Sequence, residues 1–235
     1  MKTKAYKYLS IILSSISFII SILLLILFLT SKEKNPNEIF NQNIGSIVEV
    51  KAYEDNYESY GSGVFVDETH FITNAHVIKK EKSGIPYILE NIEIRFFNED
   101  NYRNTNLIKY DYDKDLAYLE IVDEDLSIKP IRIENSDTIS NGDTVYAIGN
   151  GMNHGLGITK GIISLPLVNI EFNNVMHSVI QSDVIINNGN SGGALLNSNG
   201  DLIGITSFRL KETLGNTIYG VAYSIPSNIL LDFIK

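Results

Sequence analysis

Three short segments of this sequence carry side chains whose types and spacing could support nucleophilic chemistry. In Gly189-Asn190-Ser191-Gly192-Gly193 a serine sits inside a glycine-rich turn. A serine that attacks a carbonyl needs an exposed Oγ and nearby backbone N–H groups aimed where negative charge develops. Only backbone with no side chain in the way comes that close. The same five residues could also form an ordinary polar loop. In Thr73-Asn74-Ala75-His76-Val77 an imidazole follows a strand-like run, and histidine is suited to take and return a proton near neutral pH. His70, His154 and His177 read instead as loop or core residues. In Asp111-Tyr112-Asp113-Lys114-Asp115-Leu116-Ala117-Tyr118-Leu119 three acids compete. Asp115 abuts the apolar run and is the one carried partly inside, where a carboxylate could orient an imidazole. Asp111 and Asp113 read as solvated loop charges. Each segment alone is a weak signal, but together they supply His76, Asp115 and Ser191 in that order along one chain.

The elements available to position these residues are short. Apolar runs broken by turn signals predict strands at Ser46–Ala52, Gly63–Val66, Phe71–Thr73, Ile92–Phe97, Leu116–Val122, Thr144–Ile148, Ile158–Ser164, Ser178–Ser182, Ala194–Leu196, Leu202–Phe208 and Val221–Ile225. Asn199-Gly200 between two of them predicts a tight hairpin with positive φ at both turn positions. Only residues 227–235 read as helix in this part of the chain, begun by Pro226 and Ser227, with Ile229, Leu230 and Phe233 on one face. Many short strands without interspersed helices mean an all-β barrel or sandwich, here over residues 45–235.

The N-terminal part differs. No charged side chain occurs from Tyr8 to Thr30, and Ser10–Thr30 is mostly aliphatic or aromatic. At about 1.5 Å of rise per residue this stretch spans roughly 32–35 Å, enough for a hydrocarbon core of about 30 Å. A cleaved secretory signal would have an apolar core of about 7–15 residues and a small-x-small cleavage site, and no such site follows. Residues 8–30 therefore read as one uncleaved transmembrane anchor. Lys2, Lys4 and Lys7 within residues 1–7 favour a cytoplasmic N-terminus and a catalytic domain outside the membrane. The polar stretch that follows, within residues 31–44, reads as a linker.

Of the 19 basic and 28 acidic residues, five bases and one acid lie before residue 35, leaving 27 acids against 14 bases beyond it. A domain this acidic is a poor partner for nucleic acid or anionic lipid surfaces, both of which want basic surface. The absence of cysteine excludes disulfides, thiolate nucleophiles and cysteine-ligated metals together.

With these segments in hand, residues from about 45 to 228 resemble the protease domain of the HtrA (DegP-type) family. The matching stretches are GSGVFVD (Gly61–Asp67), ITNAHVI (Ile72–Ile78), KDLAYLEI (Lys114–Ile121), YAIGNGMNHGLGITKGIIS (Tyr146–Ser164), QSDVIINNGNSGGAL (Gln181–Leu195), LIGITS (Leu202–Ser207) and YSIPSN (Tyr223–Asn228). The resemblance implies a chymotrypsin/trypsin-like double β-barrel, two six-stranded barrels split near residues 130–143 with the site in the cleft between them. It implies His76 as general base, Asp115 as orienting acid and Ser191 as nucleophile, with the N–H groups of Gly189 and Ser191 as oxyanion hole. The chain order is that of the chymotrypsin-type triad. Ile185, six residues before the nucleophile, is placed at the base of the pocket for the residue preceding the scissile bond (P1), with Thr206 and Ser207 also substrate-binding. No metal or organic cofactor is required. Polypeptides are the implied partners, and a homotrimer the implied assembly.

Some departures bear on the subtype. HtrA proteins usually continue from the IPSN segment into PDZ domains, whereas this sequence ends at Lys235, so PDZ-dependent sensing is not implied. Ala194 stands where the family usually has proline. Asn190 cannot make the ion pair by which zymogen proteases are activated. Thr206 stands where glutamyl endopeptidases place a histidine, so an acid-binding pocket is not expected and small or medium aliphatic P1 residues are. The expectation is a serine endopeptidase acting on unfolded polypeptides at the outer face of the membrane. Its alternative is a catalytically inactive peptide-binding module of the same fold.

Overall fold

A computed structural model describes residues 2–30, 34–122, 126, 128–172, 175–208 and 220–235. It separates into two compact units, residues 1–34 and 35–235. The first is helix α1, Lys2–Thr30. Its side chains are described at Tyr6, Tyr8 and residues 11–26, a continuous run of about 24 Å at 1.5 Å per residue. Among the described residues no helix is long and apolar enough to cross a membrane.

The second unit opens with a correction to the expected linker. Pro36–Asn43 form helix α2, started by a capping box in which the Asn35 side chain accepts from the Glu38 N–H and Glu38 accepts from the Asn35 N–H. Pro36 in the first turn suits a position whose N–H has no helical partner anyway. Ile39 is fully buried, and this apolar anchor is what a polar composition concealed. Residues 31–33 of the expected linker lie outside the described residues.

Strands follow as β1 Ile47–Glu54, β2 Tyr57–Phe65, β3 His70–Thr73, β4 Lys79–Lys82, β5 Ile85–Ile88, β6 Asn91–Phe96, β7 Arg103–Asp111 and β8 Leu116–Ile121. The second half holds β9 Thr144–Gly149, β10 Gly157–Phe172, β11 Val175–Ser182, β12 Ala194–Asn197, β13 Leu202–Phe208 and β14 Ala222–Pro226, then helix α3 Ser227–Ile234. Two closed barrels result, in the orders β1-β2-β3-β8-β7-β6 and β10-β11-β14-β13-β12-β9, with β4 and β5 as a separate hairpin. Closure leaves neither barrel an open sheet edge to manage.

Strand alternation distributes the apolar side chains among three cores. Val48, Phe65, Phe71 and Leu119 fill the first barrel, and Val145, Leu195 and Ile203 the second. Their sequence neighbours Ile47, Val64, Ile72, Tyr146, Leu196 and Leu202 point the other way and share a third core to which both barrels contribute, covered in part by α2 and α3. Strands between two cores are buried on both faces, so they read as continuous apolar runs rather than as alternation.

The Asn199-Gly200 turn also departs from expectation. Only Gly200 has positive φ, and the Asn197 N–H donates to Asp201 O while the Gly200 N–H donates to Asn197 O. This is a three-residue hairpin loop closed by a left-handed glycine, not a two-residue turn.

Candidate active site

Register explains how His76 and Asp115 meet. β3 and β8 are antiparallel neighbours with Thr73 opposite Ala117, so the residues just after β3 face those just before β8. His76 rides on a 3₁₀ turn, Ala75–Val77. The Ala75 N–H (3.2 Å) and the Asn74 side-chain amide (2.9 Å) both donate to the Asp115 carbonyl. Asp115 lies in the left-handed region, φ 54°, a conformation that aspartate tolerates better than most residues. Asp111 is not simply a solvated charge. Its Oδ1 accepts from the N–H groups of Asp113 and Lys114, both at 3.0 Å, which builds the turn that delivers Asp115.

The Asp115 carboxylate is saturated with donors. Oδ1 accepts from the His76 backbone N–H at 2.9 Å, and the His76 Nδ1 lies 3.0 Å and 2.8 Å from the two oxygens. Oδ2 also accepts from the Ser207 hydroxyl at 2.8 Å. Burial on its own pushes this carboxyl up, but the His76 ring and these hydrogen bonds outweigh it and hold it below the ordinary carboxylate range. The imidazole itself stays accessible, with 39% of its side-chain surface exposed against 14% for Asp115.

Ser191 comes from the other barrel. Its Oγ donates to the Ser207 carbonyl at 2.8 Å, so Ser207 touches the acid with its side chain and the serine hydroxyl with its backbone. Free-enzyme sites often hold such hydroxyls away from the base until substrate arrives.

The loop carrying Ser191 has its carbonyls fastened one by one. Asn188 O accepts from the Met152 N–H at 2.7 Å, and Gly189 O from the Ser62 hydroxyl at 2.8 Å. Asn190 O accepts from the Gly193 N–H at 2.9 Å and the Thr206 hydroxyl at 2.6 Å, and Ser191 O from the Ser62 N–H at 2.8 Å. Because a trans peptide is planar, fixing a carbonyl points the following N–H the opposite way. The bonds to Asn188 O and Asn190 O therefore orient the N–H groups of Gly189 and Ser191. Gly189 (φ 94°) and Gly192 (φ 85°) need glycine for this path. A Cβ at the first would collide with Asn150 O, and at the second with Ser62 O.

The remaining sequence-derived positions are placed as follows. The Ile185 side chain is 65% exposed, whereas its neighbour Ile186 is buried. Thr206 and Ser207, read as substrate-binding, are buried and turn their hydroxyls to Asn190 O and Asp115. Asp183 is tied to β10, its Oδ1 accepting from the Ile162 N–H at 2.6 Å. His70 lies at the far end of β3, its Nδ1 2.9 Å from Asp67 Oδ1. Sequence reasoning gave no role to Ser62, although it stands in the quoted stretch GSGVFVD; its flanking glycines were the available signal.

Comparison with known proteins places the domain in a family. The family model described as a trypsin-like peptidase domain matches residues 61–205. The periplasmic pH-dependent serine endoprotease DegQ of Escherichia coli K12 is 35% identical over 178 residues, covering 74% of this chain and 36% of that protein. Serine endoprotease DegS of Haemophilus influenzae is 36% identical over 178 residues, covering 74% and 49%. The chain thus spans between about a third and a half of the length of these curated relatives. Among solved structures, the HtrA-type protease AlgW with a tripeptide superposes with a TM-score of 0.72 at 28% identity, covering 85% of this chain and 62% of that one. With a trypsin-like domain matched over more than half its length and HtrA-type proteases among its relatives and structural neighbours, the chain belongs to the HtrA family of trypsin-like peptidases.

Proposed function

We propose that this chain is a serine endopeptidase that cleaves unfolded polypeptides on the outer side of a membrane. The observation that carries the reading is the continuous chain of contacts from His76 through Asp115 and Ser207 to Ser191, beside a loop whose carbonyls from Asn188 to Ser191 are held. In this mechanism substrate entry turns the Ser191 hydroxyl from Ser207 O toward His76, which takes its proton as Oγ attacks the scissile carbonyl. Asp115 keeps the ring in the required tautomer and stabilises the imidazolium. The N–H groups of Gly189 and Ser191 receive the oxyanion, and His76 then returns the proton to the leaving amine. Casein turnover by the purified full chain, compared with its Ser191→Ala form, is the direct test. Absence of turnover by both would favour the inactive peptide-binding module.

Substrate choice follows from the side chains near the nucleophile. Ile185 offers an exposed apolar surface, Thr206 is no acid-selecting histidine, and Asp183 is engaged on β10. Pairing a basic P1 side chain would need a free carboxylate, because an unpaired buried cation costs several kcal/mol. We expect cleavage after Val, Ala, Ile or Leu, and little after Lys, Arg or Glu. A peptide library read by mass spectrometry checks this, and dominant cleavage after Arg or Lys would refute it.

The membrane part of the proposal rests on the uncharged stretch 8–30 and the lysines before it. It extends the described run of α1 to a length that spans a bilayer. An external protease applied to intact cells should digest the domain. Full protection would reverse the orientation, and a soluble mature form starting near residue 32 would remove the anchor.

A further inference from the structure

Ser62, on β2 of the first barrel, is completely buried and makes four hydrogen bonds. Its carbonyl accepts from the Thr73 hydroxyl at 2.7 Å and its N–H donates to Ser191 O at 2.8 Å. Its hydroxyl accepts from the Asn150 N–H at 2.8 Å and donates to Gly189 O at 2.8 Å. Asn150 is buried too. Its carbonyl accepts from the Asn153 N–H at 3.2 Å, closing the turn whose Met152 N–H holds Asn188 O. Its side-chain amide donates to Glu49 at 3.0 Å, and Glu49, buried on β1, is also paired with Arg95 at 2.8 Å.

The two torsions of Gly189 are thus set from both sides. Met152 fixes the peptide that precedes it and the Ser62 hydroxyl fixes the peptide that follows it. Glycine has no side chain to restrict these torsions, so its backbone direction is defined by its partners. Removing the Ser62 hydroxyl would leave two buried polar groups, Gly189 O and the Asn150 N–H, without a partner. Such orphans are costly enough to drive rearrangement. The 189–190 peptide is then free to turn, and the Asn150 turn loses the contact that anchors it. Because the Met152 N–H of that turn fixes the peptide carrying the Gly189 N–H, its shift moves this N–H away from the oxyanion position.

We propose that Ser62, backed by Asn150 and Glu49, is a positioning residue for the oxyanion hole, acting through the Asn150 turn and the Gly189 carbonyl without touching substrate. The inference rests on the endopeptidase reading and assigns to the first barrel a role in orienting the second barrel's N–H donors.

The test measures kcat, KM and inhibition by a valine-ended peptide trifluoromethyl ketone, which forms a tetrahedral oxyanion on the nucleophile. Wild-type full chain is compared with Ser62→Ala and Ser62→Cys, the latter keeping the bulk with only a weak donor. Complete loss of one oxyanion donor costs about 10²–10³ in kcat, and a donor mis-aimed part of the time should cost about ten- to a hundredfold. Ser62→Ala is therefore expected to lose that much in kcat, with KM within about twofold and ketone affinity falling by the same factor as kcat. If Ser62→Ala fails to fold, Ser62→Cys must show the same parallel loss. A folded variant with kcat within twofold of wild type overturns the proposal. So does one whose kcat falls while ketone affinity stays unchanged. Wild-type chain without Ser191-dependent turnover would sink the endopeptidase reading and this inference with it. An active wild type with an indifferent Ser62 sinks only the inference.

Discussion

Ser191→Ala should lower kcat by about 10⁶ and leave the fold unchanged. Among the described residues the Ser191 side chain makes a single hydrogen bond, to the Ser207 carbonyl, so the cost of removing it to stability is about 1 kcal/mol. The loop is held by backbone contacts that the substitution leaves in place, namely Ser62 N–H to Ser191 O and Gly192 N–H to Thr206 O. Activity should vanish while the thermal transition moves by only a few degrees. More than a few per cent residual turnover in a clean preparation would mean that another group is the nucleophile.

Asp115→Asn should cost about 10⁴ in kcat, and Asp113→Asn less than about threefold. The difference follows from what surrounds each carboxylate. Both oxygens of Asp115 receive donors, the backbone N–H and ring of His76 on one and the ring and Ser207 hydroxyl on the other. A carboxamide has one acceptor fewer and places an NH₂ against one of them. His76 must then present the wrong tautomer, or Ser207 must turn away. Asp113 is exposed, and in the turn it contributes its backbone N–H to Asp111. Equal losses in steady-state kinetics at the two positions would show that Asp115 is not the orienting acid.

What the sequence revealed depended on how each residue is used. Ala194–Leu196 and Leu202–Ile205 lie between two cores and read as unbroken apolar runs, so their strands were legible. β7 has no fully buried residue, and β4 is the run Lys79-Lys80-Glu81-Lys82. β4 carries no apolar signal and β7 only a weak one, Leu107 packing half-buried against the first core while Ile108 and Tyr110 are exposed, so backbone pairing more than burial makes them strands. Helix α2 hid in a polar stretch because one buried isoleucine and a capping box suffice to hold eight residues. In the site, the three segments with chemical side chains stood out because reactive groups need particular residue types. Ser62 and Asn150 did not, since they act through hydrogen bonds to backbone that becomes adjacent only after 127 and 88 residues of intervening chain.

The contacts that assemble the site also cross from one barrel to the other. Ser62 grips Gly189 and Ser191, Ser207 grips Asp115, and Asn150 grips Glu49. The proposed reactive centre is therefore a joint, and each partner lies on a body stabilised by its own core. A small slip at this seam would separate base from nucleophile and release the loop carbonyls while both barrels stayed closed. Since a misplacement of about 1 Å can cost a hundredfold in rate, turnover in such a molecule reports how well the halves are seated, a finer measure than whether they are folded.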